Sequence, residues 1–86
     1  PARMKVNLLY FASIREAIGT GSESLDTGAT TLTALRDELI ARGGAHADAL
    51  ARGRAVRVSL NQAMADESAV LVEGAEVAFF PPVTGG

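Results

Sequence analysis

The chain has 86 residues, 48% of them hydrophobic, and a formal net charge of −2. A length of this order supports one domain with a modest core, burying about 60–65% of the unfolded surface. The charge disfavours nucleic-acid and anionic-membrane binding, and neither a membrane-length apolar run nor a signal-peptide pattern is present. Cysteine is absent, so no disulfide braces the core and sulfur chemistry on a side-chain thiol is excluded. A cytoplasmic protein fits this composition best.

Pro1-Ala2-Arg3 reads as an N-terminal extension (1–3), with Met4 the natural first residue of the fold. Met4 to Phe11 is the clearest strand. Val6, Leu8 and Tyr10 share one face by the two-residue period, with Lys5, Asn7, Leu9 and Phe11 on the other. Lys5 and Asn7 mark that second face as the wet one, which leaves Phe11 as an apolar residue pointing outward. Ala12 to Ile18 suits one or two helical turns, stopped by Gly19-Thr20-Gly21. Ser22 to Asp26, with Leu25 its sole apolar anchor, is a weak strand near a sheet edge.

Thr30 or Thr31 can cap a main helix running to about Arg42. Leu32, Leu35, Leu39 and Ile40 form its apolar stripe, with Arg36, Asp37 and Arg42 off it. Gly43-Gly44 stops that helix. Ala45 to Arg52 suits a second, alanine-rich helical segment whose small side chains bury little. Ala55 to Leu60 alternates Val56, Val58 and Leu60 against Arg57 and Ser59, a half-buried strand followed by an Asn61-Gln62 turn. Val70-Leu71-Val72 reads as a short apolar strand, and Glu73-Gly74 as a turn into a last strand, Glu76 to Phe80. There Val77 and Phe79 share one face, while Glu76, Ala78 and Phe80 share the other. Pro81 and Pro82 donate no ladder bonds, so pairing stops.

The order predicts an α+β domain over 4–80, with a mixed sheet packed on one main helix. The helix stripe would meet Val6, Leu8, Val56, Val58, Val77 and Phe79. Several small α+β topologies satisfy this pattern equally well.

Residues 81–86, Pro81-Pro82-Val83-Thr84-Gly85-Gly86, read as a C-terminal tail. Two terminal glycines carry no Cβ and can enter a narrow site. Six residues extend to roughly 20 Å, and the prolines hold the residues before them extended. A free carboxylate is a poor acyl donor, so a partner must activate it, for example by adenylation with ATP. With no cysteine in the chain, carried sulfur would sit at the terminus as a thiocarboxylate. Lys5 is the sole lysine, which disfavours a polymer-forming tag.

Phe11-Ala12-Ser13-Ile14-Arg15-Glu16 and Glu76-Val77-Ala78-Phe79-Phe80-Pro81-Pro82-Val83-Thr84-Gly85-Gly86 closely resemble the small subunits of molybdopterin synthase. The match runs from Met4 to Gly86, and its terminal motif is the specific part. One departure is Gly74-Ala75, where the family often has Gly-Asp; it touches turn chemistry only. The resemblance implies a ubiquitin-like β-grasp fold with no bound cofactor. It implies that an E1-like enzyme uses ATP to adenylate Gly86, and that a sulfur donor protein then supplies the thiocarboxylate. The large synthase subunit would accept the tail and use its sulfur for the molybdopterin dithiolene. In such a sheet the first and last strands are parallel neighbours, so Phe11 and Phe80 end together on one face. The family's partner-docking face matches these positions, with Met64 as a third apolar member.

Other residues take plainer readings. His46 has no metal-ligand partner at suitable spacing. Asp37-Glu38 and Asp66-Glu67 read as solvated surface. Arg52, Arg54 and Arg57 form a small basic cluster, at a solvated strand edge or steering an acidic partner. Arg15-Glu16 suits a local ion pair, and Gly19-Thr20-Gly21 lacks the lysine of a phosphate-binding loop. Three rival functions remain: sulfur delivery to thiazole synthesis, a protein modifier joined through Gly86 to target lysines, and an interaction domain with an inert tail.

Overall fold

Alternation of apolar and polar residues sets the first strand, β1 (Met4–Tyr10), with Val6, Leu8 and Tyr10 inward and all essentially inaccessible. The computed structural model describes residues 3–81; Pro1, Ala2 and 82–86 lie outside that range. α1 (Ala12–Ile18) ends at Gly19, whose φ of 93° is the left-handed geometry that glycine adopts freely. β2 (Ser22–Thr27) pairs antiparallel with β1 at the sheet edge, where its sparse apolar content places it.

α2 (Leu32–Ala41) is capped by Thr31, whose hydroxyl accepts the Ala34 N–H at 3.2 Å. Leu32, Leu35 and Leu39 are buried, and Ile40 packs at the core margin. α3 (Gly44–Ala49) follows directly. β3 (Arg57–Leu60) and β4 (Ala63–Met64) form a hairpin across Asn61-Gln62, and β5 (Glu76–Phe80) closes the sheet. The strand order is β2-β1-β5-β3-β4. β1 and β5 pair in parallel at the centre, and β3 pairs antiparallel with β5. The helices cover one face. The core joins Leu32, Leu35 and Leu39 to Val6, Leu8, Val58, Val77 and Phe79, with Tyr10 stacked on Phe79 at 6.1 Å between centroids.

Several sequence expectations are corrected. Val70–Val72 is not a strand: it makes one isolated bridge, Thr31 to Val70, and leaves Val70 and Val72 exposed around buried Leu71. The short strand is Ala63–Met64, too brief to show a period. The segment after α2 buries more than its alanines suggest, because Leu50 and Ala49 join the core. Arg36 is not on the solvated side. It is 5% exposed; its guanidinium donates to the Leu50, Ala51 and Arg54 carbonyls at 2.8, 2.8 and 3.2 Å, and to Glu67 Oε2 at 2.7 Å. A buried arginine is tolerated because every face of the fork finds an acceptor.

Candidate docking face and tail exit

The parallel pairing of β1 and β5 brings the ends of both strands to one edge of the sheet. Tyr10 lies opposite Phe79, and the Phe11 N–H donates to the Phe79 carbonyl at 3.1 Å. Ala12 then takes a positive φ of 52°, turning the chain sharply into α1. Phe11 is left on the outward face, 46% exposed. Phe80 emerges on the same face, one strand away. The two rings meet edge to face, with centroids 6.3 Å apart and planes at 79°. Pro81 follows, half-buried, and the chain leaves the sheet there.

The register extends this face across the sheet. Leu9, Ala78, Ser59 and Met64 are successive Cα partners, so their side chains project from the same side. Ala78 and Ser59 are small and buried, a floor between larger neighbours. Met64 stands 54% exposed at the far edge. Thus Phe11, Phe80 and Met64, the three apolar positions singled out in the sequence, lie on one face, with Phe11 and Phe80 in ring contact and Met64 two strands over. An apolar surface of this kind is costly in water unless something covers it. The tail positions Pro82, Val83, Thr84, Gly85 and Gly86 lie outside the described residues; Pro81 is inside them.

The opposite face carries a polar cluster that the sequence does not announce. Glu23 Oε2 accepts the Tyr10 hydroxyl at 2.8 Å and lies 2.9 Å from His46 Nε2, while Oε1 accepts Arg42 Nη1 at 3.1 Å. Burial alone would raise the Glu23 carboxyl. The hydrogen bonds from His46, Tyr10 and Arg42 outweigh it and hold the group below the usual carboxylate range. Burial, reinforced by the Glu23 bond, pushes the Tyr10 phenol well above its ordinary value. His46 therefore acts as a partner for Glu23 and an edge-on neighbour of Tyr10, at 5.9 Å between centroids. Among the described residues no three His, Cys, Asp or Glu side chains gather as a metal site.

The acidic pairs and the basic cluster also divide differently from the sequence expectation. Glu67 is not merely solvated, since it bridges Arg36 and Arg52, and Asp37 pairs with Arg52 at 2.7 Å. Burial would raise Glu67, but the bonds from Arg52 and Arg36 win and lower it. Arg52 is thus committed to the α2 network, while Arg54 and Arg57 stay exposed. Arg15 and Glu16 form no ion pair among the described residues; Arg15 instead lies against Gly21, where an added Cβ would meet its Nε at 3.2 Å.

Similarity to known proteins agrees with this architecture. The ThiS family profile matches residues 8–86. The molybdopterin synthase sulfur carrier subunit of Haemophilus influenzae is 40% identical over 81 residues, covering 94% of this chain and 99% of that protein. Small archaeal modifier protein 1 of Haloferax volcanii superposes with a TM-score of 0.75 at 26% identity, covering 93% and 99% of the two chains. A complex of subunits 1 and 2 of the molybdopterin-converting factor from Helicobacter pylori contains a chain matching at TM-score 0.64 and 26% identity, with 96% and 100% covered. This chain belongs to the ThiS family, with the ubiquitin-like β-grasp fold, and stands among its molybdopterin synthase sulfur carrier subunits.

Proposed function

We propose that this protein is the sulfur-carrying small subunit of a molybdopterin synthase, working in the cytoplasm and donating sulfur from a thiocarboxylate at Gly86. It is not catalytic alone; it is one part of a two-subunit sulfurtransferase. The Gly86 carboxylate attacks the α-phosphorus of ATP on an E1-like enzyme, forming the acyl-adenylate and releasing pyrophosphate. A sulfur donor protein delivers sulfide, whose attack on the acyl carbon forms the C–S bond, expels AMP and leaves the thiocarboxylate. The large subunit receives the tail, Pro81 through Gly85 filling its entry channel, and takes the sulfur for the dithiolene.

One observation carries the docking half of this reading: β1 and β5 deliver Phe11 and Phe80 to a single exposed face at the edge where the chain departs toward Pro81. A partner that covers this face receives the tail from the same edge. The Helicobacter pylori chain of like fold is described in complex with its subunit 2, which supports a large-subunit partner.

Mass spectrometry of protein from its native host tests the chemistry. A species heavier by the exchange of one oxygen for sulfur is expected, and deletion of Gly86 abolishes it together with cofactor synthesis. A form extended beyond the diglycine that supports synthesis without trimming would overturn the reading. The likeness to the archaeal modifier keeps one rival specific, and its mark would be conjugates linked through Gly86 to lysines of other proteins. The 40% identity to a sulfur carrier weighs against it, as does the Phe79-Phe80-Pro81-Pro82 run against thiazole delivery.

A further inference from the structure

Arg57 lies opposite Phe80 in the β3–β5 register, so its side chain leaves the same outward face one strand from the Phe11–Phe80 pair. It is exposed, and among the described residues it forms neither an ion pair nor a side-chain hydrogen bond. This sets it apart from Arg36, Arg42 and Arg52, each held by one or more carboxylates. It also borders an open groove of about 330 Å³, lined by Val56, Val58, Met64 and Ala65 and by the acids Asp66 and Glu67. Neither acid of the groove pairs with it among the described residues: Glu67 bridges Arg36 and Arg52, and Asp66 makes no ion pair with Arg57.

We infer that Arg57 is a specificity residue of the docking face, receiving a carboxylate of the large subunit beside the pocket that takes Phe80. This rests on the docking reading above and adds the chemistry of the partner surface. A partner that covers Phe11 and Phe80 strips water from the neighbouring guanidinium. An uncompensated cation there opposes binding, whereas a planar carboxylate answers the guanidinium fork with two hydrogen bonds. The whole chain carries a net charge of −2, so its overall field does not draw in an acidic surface. A local cation can supply the attraction, and Arg57 is the one beside the Phe11–Phe80 pair; Lys5 shares that sheet face at the far end of β1.

Association of the full-length chain with its cognate large subunit, measured by stopped flow across a salt series, tests this. Arg57→Gln is expected to weaken binding about tenfold and to flatten the dependence of the on-rate on salt. Arg57→Glu weakens it further, and Arg54→Gln, away from this face in the α1–α3 groove, leaves both readings unchanged. Circular dichroism and melting temperature confirm that each variant is folded. Wild-type affinity and salt dependence in both Arg57 variants would overturn the inference. So would a salt-sensitive dimer of the free chain that Arg57→Glu dissolves, which would assign the residue to a second copy. Phe80→Asp in the same assay separates the two levels. If it fails to bind while Arg57→Glu binds normally, only the role of Arg57 falls; if it also binds normally, the docking face itself is misplaced.

Discussion

The Phe11 and Phe80 rings meet edge to face although 69 positions separate them along the chain, and neither is drawn into the core. Each completes a strand whose inward neighbours, Tyr10 and Phe79, are buried against one another. The pair is therefore rigid from beneath and open above. Replacing either with aspartate should leave folding intact, because neither is a core residue, and should lower affinity for the large subunit at least about tenfold. Isothermal titration with matched melting curves reads both quantities. Unchanged affinity in both variants removes the patch from the interface.

Arg36 gathers three carbonyls of the 50–54 loop and one carboxylate onto a single buried guanidinium. Arg36→Met keeps the stem and deletes the charge, leaving those acceptors unanswered and Glu67 with Arg52 alone. A loss of about 3 kcal/mol is expected in urea unfolding. Arg54→Met should change stability little, since that side chain forms no hydrogen bond among the described residues.

Acid should expose the Glu23 cluster. Its carboxyl is lowered in the folded state, so the stabilisation is fully present above the ordinary glutamate value of about 4.3 and is lost as pH falls through the lower folded value. Glu67 adds a contribution of the same sign. Unfolding midpoints should therefore decline below about pH 4.5, and Glu23→Gln should flatten that decline while lowering stability at pH 7. A Glu23→Gln curve parallel to wild type at all pH values would show that the cluster does not govern acid stability.

The hairpin from β3 to β4 turns on two non-glycine residues with positive φ, Asn61 at 51° and Gln62 at 72°. Asparagine accepts this geometry readily; glutamine does not. Gln62→Gly is expected to raise stability by about 1 kcal/mol, read as a higher denaturation midpoint at constant slope. The Asn61 side chain also accepts the Glu76 N–H at 3.0 Å, so Asn61→Gly should gain less or lose.

Features that depend on near neighbours were legible in the chain. Val6, Leu8 and Tyr10 alternate and are buried; Leu32, Leu35 and Leu39 recur at helical spacing and pack inward; Gly19 ends α1 as its type suggests. The sites that escaped are set by distant partners. Arg36 looks like a solvated position until the 50–54 carbonyls close over it, and Glu23 finds His46 only once β2 and α3 are assembled. β4 has two residues, a single period of alternation that never repeats, and so leaves no pattern. Phe11 and Phe80 stood out for the opposite reason: each is an aromatic residue ending a strand on the face that Lys5, Asn7 and Glu76 mark as wet. Charge type alone did not separate Arg52 from Arg57; only register and pairing do.

The central position of the β1–β5 pairing has a consequence for how the protein is made. Asn7 waits for Glu76 and Tyr10 for Phe79, so the middle of the sheet is absent until β5 has been synthesised. Without β5, β1 and β2 are a lone antiparallel pair joined through α1, too small to persist by itself. The centre of the sheet therefore forms only once both of these strands are present. A surface built from Phe11 and Phe80 exists only after those two strands have met, a timing built into the topology.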